Sequence, residues 1–81
     1  MMRIKEAAVL RFQELCRERG IKYNELAVLS GVTPSTVYSM MDKRRRDVSL
    51  TTVKKLCDGL EISVPEFFSA ACFDALEQEI Y

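Results

Sequence analysis

An 81-residue chain with 48% apolar and 30% charged residues has room for one domain and one modest core. Twelve basic residues balance twelve acidic ones. Three cysteines without C-x-x-C spacing leave a zinc site short of ligands, and the absence of histidine removes imidazole acid–base and triad chemistry. No apolar run approaches the length of a membrane span, and residues 1–10 interleave Arg3, Lys5 and Glu6 with apolar positions. Without a signal-peptide core, a cytoplasmic location is expected. Cys16, Cys57 and Cys72 then read as small apolar residues on helix faces in a reducing compartment.

Hydrophobic periodicity predicts a first helix over residues 4–19, with Ile4, Ala8, Phe12, Leu15 and Cys16 on one stripe. Gly20 stands where a left-handed residue closes a helix, Arg17 and Arg19 face the negative dipole end, and Ile21 is placed to tuck onto the core. A short second helix follows over residues 23–29, with Leu26, Ala27 and Leu29 apolar. Lys22 is a poor N-cap, so Asn24 is expected to share that role. Gly31 ends this helix and Val32 anchors the turn. Thr33 as N-cap and Pro34 at the first helical position start a third helix over residues 34–41, with Val37, Met40 and Met41 inward. Ser35, Thr36, Tyr38 and Ser39 remain for its outer side.

Residues 42–48 break periodicity and read as a loop. Ser49 caps a fourth helix over residues 50–59, whose apolar face is Leu50, Val53, Leu56, Cys57 and Leu60. Ser63, Pro65 and Glu66 form a capping box that opens a fifth helix through Phe67 and Phe68. Residues 70–81 can form a last amphipathic helix, with Phe73, Leu76 and Ile80 opposite Asp74, Glu77 and Glu79. No strand pattern or repeat is visible. The expected fold is all-α, with five helices over residues 1–68 and an acidic C-terminal tail over residues 69–81 that can supply a short sixth helix.

The charge balance hides an asymmetry. Residues 1–46 carry ten basic and five acidic side chains, and residues 47–81 carry two basic and seven acidic ones, a split of +5 against −5. Lys43, Arg44, Arg45 and Arg46 concentrate four of those cations in one loop, directly after the third helix.

Two short helices joined by a glycine-containing turn, over about residues 23–42, are the sequence form of a DNA-binding helix-turn-helix. Leu26 and Ala27 form the inner face of its first helix. Ala27 is small where the second helix crosses, Gly31 sits in the turn, and Val32, Val37 and Met40 pack the second helix down. The stretches NELAVLSGVTPSTVYSMM and VSLTTVKKLCDGLEISVPEFF resemble the XRE class of regulators, which includes the phage repressor and Cro DNA-binding domains. The resemblance spans about residues 4–68 and implies a repressor-like domain whose third helix enters the major groove of double-stranded DNA.

That resemblance also implies roles. Thr33, Ser35, Tyr38 and Ser39 fall at base-reading positions, and Pro34 leaves one usual reading position without a donor. Tyr23, Asn24, Thr36 and the loop residues Lys43, Arg44, Arg45 and Arg46 fall where relatives approach the DNA backbone. The reading face lacks arginine, asparagine and glutamine, so strong bidentate base contacts are missing and shape is expected to contribute much of the specificity. Relatives often pair an arginine in helix 1 with a glutamate at the end of the recognition helix; Cys16 and Met41 stand at those positions here. Lys43 occupies a place where many relatives have glycine.

The leading function is a sequence-specific transcriptional regulator, a repressor that binds as a homodimer on a two-fold site, with the tail as dimer element or folded back on its own domain. The alternative is a helix-turn-helix interaction module, such as an antitoxin or accessory factor, with residues 47–81 as docking face. No catalytic motif, metal cluster, cofactor site, small-molecule site or membrane segment is expected.

Overall fold

Helix boundaries follow the capping signals in the chain. The computed structural model describes residues 2–80 and contains α1 (Ile4–Arg19), α2 (Tyr23–Ser30), α3 (Pro34–Met41), α4 (Leu50–Gly59), α5 (Val64–Phe68) and a 3₁₀ turn at Ala71–Phe73. Thr33, Ser49 and Ser63 each accept a hydrogen bond from the backbone N–H three residues on, which satisfies one orphan donor at the starts of α3, α4 and α5. At the start of α2 it is the Glu25 carboxylate, not Asn24, that reaches back to a cap position, accepting from the Lys22 N–H at 3.4 Å. Gly20 and Gly31 close α1 and α2 with φ of 64° and 69°, the left-handed region that glycine enters without steric cost.

The core joins α1 (Ala8, Phe12, Leu15, Cys16), α2 (Leu26, Ala27), α3 (Val37, Met40), α4 (Val53, Leu56, Cys57), Leu60, Ile62 and Phe67. Phe12 and Phe67 are fully buried with ring centroids 4.4 Å apart, which docks α5 onto α1. Each such ring contributes about 1.5–3 kcal/mol through burial alone. Arg11 reinforces the junction by donating to the Phe67 and Glu66 carbonyls at 2.8 and 3.0 Å, and so caps the end of α5. Burial also pushes the Cys16 and Cys57 thiols above their ordinary pKa, which makes them poor nucleophiles.

Several sequence expectations are corrected. Ile4 and Leu50 lie in the first turns of their helices, beyond the edge of the core, and are exposed; Leu50 keeps 78% of its surface. Leu29 faces solvent as well. Of the capping box at α5 only the Ser63 half forms. The largest correction concerns the tail, which is not an amphipathic helix. After the 3₁₀ turn it runs extended along the start of α1, with a parallel bridge between Met2 and Leu76 and a hydrogen bond from Glu77 N–H to the Met2 carbonyl at 3.1 Å. Phe73 stacks against Phe67 and Phe68, and the Glu79 carboxylate accepts from the Ile4 N–H at 3.4 Å at the positive end of α1. Covering part of Phe73 while Asp74, Glu77 and Glu79 stay exposed is achieved by this strap as well as by a helix. Ile80 remains exposed, and Tyr81 lies outside the described residues.

α2 and α4 cross closely. A Cβ placed on Gly59 would lie 2.2 Å from Ser30 Oγ and 2.9 Å from the Ser30 backbone, so glycine is required there by space. The left-handed position after α4 falls instead to Glu61, with φ of 58°. Replacing Gly59 with alanine gains about 1 kcal/mol of helix propensity but forces the two backbones apart, and overpacking costs about 1–3 kcal/mol or more. Gly59→Ala is therefore expected to lower the midpoint of urea unfolding, whereas a change governed by propensity alone would raise it.

Candidate nucleic-acid interface

α3 has two opposed sides. Val37 and Met40 are buried and Met41 is half-buried against the core, while Ser35, Tyr38 and Ser39 project outward at i, i+3 and i+4. Asp42, a full two turns after Ser35, returns to the same outward side, so the loop of four cations begins where this face ends. α2 lies against α3 with Gly31 and Val32 in the turn; the Val32 N–H reaches back to the Ala27 carbonyl at 3.1 Å, and Ala27 is fully buried. The two helices, their tight turn and the outward second helix together make a helix-turn-helix.

The hydroxyls at the head of α3 form a local network. Thr33 Oγ1 lies 3.0 Å from both Ser35 Oγ and Thr36 Oγ1 and also caps the Thr36 N–H. Thr33 thus holds its neighbours in place as well as ending in solvent. Tyr38 packs edge-on against Tyr23, with centroids 5.7 Å apart, which ties the start of α2 to the outer side of α3. Tyr38 still keeps 53% of its surface exposed. Asn24 is exposed on α2, and Thr36 and Ser39 line a small hollow with Arg45, between α3 and the loop.

The loop is organised by Asp42. Its carboxylate accepts from the Arg44 N–H at 2.9 Å and from the Arg44 guanidinium through both oxygens, at 3.2 and 2.9 Å. The side-chain bonds and then the backbone bond from Arg44 hold the Asp42 carboxyl down at about 2. Its carbonyl accepts from the Arg45 N–H at 3.1 Å and from Lys5 Nζ at 2.7 Å. Lys5 comes from α1 and keeps only 6% of its surface. Burying an ammonium costs several kcal/mol; a short charge-assisted bond at the negative end of α3 offsets part of that.

Of the four expected loop cations, Arg44 is therefore already paired within the loop, although exposed. Lys43, Arg45 and Arg46 are exposed and make no ion pair with a carboxylate of the described residues. Two basic residues of the first half serve elsewhere: Arg11 caps α5, and Arg3 lies 3.7 Å from Glu79. Sequence reasoning missed Lys5 and Asp42. The signal for Lys5 was present, since position 5 falls in line with Ala8, Phe12 and Cys16 on α1.

This geometry defines a DNA-binding helix-turn-helix domain. Residues 11–71 match the family model of the Cro/C1-type HTH DNA-binding domain, and the chain belongs to that family. It is a family of DNA-binding domains, not of enzymes. The chain is also similar to a solved structure titled as the prophage Lp1 protein 11, at 30% identity and a TM-score of 0.81, over 94% of this chain and all of that one. A comparison with curated proteins gave no match.

The paired carboxylate gives a pH prediction. Because the folded pKa of Asp42 is depressed, its contribution to stability is complete above the ordinary value of 3.8 and is lost as pH falls towards 2. In an NMR titration the Asp42 carboxyl is expected to show a midpoint near 2, and Arg44→Ala is expected to return it towards 3.8.

Proposed function

We propose that this chain is a sequence-specific transcriptional regulator, acting as a repressor in the cytoplasm, that lays α3 in the major groove and binds a two-fold site as a homodimer. The observation that carries the reading is the helix-turn-helix with an outward polar side on α3, followed at once in the chain by three cations that pair with no carboxylate among the described residues. One of them, Arg45, shares a hollow with Thr36 and Ser39. Lys43, Arg45 and Arg46 neutralise phosphates and release counterions, a contribution independent of sequence. Thr33, Ser35, Tyr38 and Ser39 face the base edges. Ser35 and Ser39 each donate or accept and so tolerate several bases, while Tyr38 offers a ring to a thymine methyl and a hydroxyl to a base or phosphate. Tyr23, Asn24 and Thr36 flank this face and meet the backbone.

Arg44 has a smaller part in this reading, because taking it to a phosphate first breaks its pairing with Asp42. Specificity rests on few and short side chains, so sequence-dependent groove shape carries a large share. Two copies would set their recognition helices about 34 Å apart, one turn of duplex, and an operator read this way is an inverted repeat.

Selection of bound sites from a random duplex pool tests the reading. An inverted-repeat consensus is expected, and no enrichment at low salt would overturn it. On the selected duplex, combined replacement of Lys43, Arg45 and Arg46 by alanine is expected to weaken binding at every sequence. It should also lower the salt slope by up to about 3, near 0.9 for each phosphate no longer neutralised. Arg44→Ala is expected to change the slope by less than any one of those three.

A further inference from the structure

α1 also borders the cationic loop. Between it and the overhanging loop lies an open groove of about 820 Å³. Val9 and Leu10 of α1, Met41 at the end of α3, and Lys43, Arg45 and Arg46 of the loop line it. Leu10 keeps 43% of its surface exposed, an apolar residue left open in the middle of a helix. The volume is far larger than an ion needs and falls in the range of sites that take several groups at once.

We propose that this groove is a docking site for an acidic amphipathic helix of a partner protein. Charge complementarity selects the occupant. Three cations with no carboxylate partner among the described residues stand beside an apolar strip. The strip is made by the adjacent Val9 and Leu10 of α1 and by Met41, an adaptable methionine at the end of α3, and Glu6 is the one acidic residue of the lining. A helix presenting leucines at i, i+3, i+4 and i+7 with glutamates beside them satisfies both at once. A nucleic-acid backbone would use the cations and leave the strip bare.

The occupant also regulates, a consequence that rests on the DNA-binding reading. Lys43, Arg45 and Arg46 cannot serve phosphates and carboxylates together, so a seated acidic helix releases duplex. The groove therefore supplies a means of control that needs no small molecule.

The test uses the full chain and a fluorescent synthetic peptide of about 14 residues with that leucine and glutamate pattern, against a scrambled peptide of the same composition. Saturable binding of the patterned peptide is expected by fluorescence anisotropy, with at least about tenfold weaker binding to Leu10→Gln and to Arg46→Gln, and no change for Val28→Gln on the exposed side of α2. Circular dichroism melts establish that the variants are folded; Leu10 and Val28 are exposed, so wild-type melts are expected. Equal binding of the scrambled peptide, or no loss in folded Leu10→Gln, would overturn the groove. Leu10→Gln is expected to bind the selected duplex as wild type does. A chain that binds the peptide but no duplex would retain the groove and refute the regulator; one that binds duplex but not the peptide would do the reverse.

Discussion

A buried ammonium fixes the working end of this domain. Lys5 reaches from α1 to the carbonyl of Asp42, the residue that ends α3, and that residue's carboxylate in turn folds the loop back around Arg44. Three parts of the molecule, the first helix, the recognition helix and the cationic loop, are thus tied at one residue. A carbonyl at a helix C-terminus is a good acceptor for a cation because the helix dipole adds to its own. The bond is short, and it is charge-assisted.

The end of α3 is tied to α1 without an ion pair between Cys16 and Met41. Cys16 is buried and Met41 is half-buried, so those two positions have joined the core. A cation in the first turn of α1, Lys5, instead meets a backbone acceptor, the Asp42 carbonyl. Exchanging a buried pair for packed apolar groups is often neutral or stabilising. The Lys5 bond asks only for a carbonyl at position 42, which any residue supplies, whereas the loop asks for the Asp42 carboxylate itself.

Most of the scaffold was legible in the chain, because its signals are local. Thr33 with Pro34, Ser49 and Ser63 mark helix starts through single hydrogen bonds, and Gly20 and Gly31 mark ends through backbone sterics; all five act where they stand in sequence. The tail was not legible. Its apolar residues fit a helix as well as a strap, and the choice is made by Phe73 meeting Phe67 and by Leu76 meeting Met2, pairings that no window of sequence contains. For the candidate site, the outward residues of α3 followed from helical spacing. The division of labour in the loop did not, since Arg44 is chemically the same as Arg45 and only its closeness to Asp42 separates them. Lys5 was missed because residue type was set above angular position. Its place on the stripe with Ala8 and Phe12 was the better guide.

Neutral net charge is no obstacle to a nucleic-acid role when the charges are sorted by the fold. Arg3 and Arg11 are spent on the tail and α5, the acidic strap lies along the start of α1, and Lys43, Arg45 and Arg46 are left open beside α3. Lys5 holds that arrangement, and Lys5→Met tests its role most directly, by unfolding and duplex binding measured on the same variant. Removing a buried charge whose partner is a neutral carbonyl, still bonded to the Arg45 N–H at 3.1 Å, leaves no orphaned ion. Cooperative unfolding is expected at an unchanged or higher temperature, together with duplex affinity lower by about tenfold and a shallower salt slope. Wild-type affinity and slope in the folded variant would contradict a holding role for Lys5.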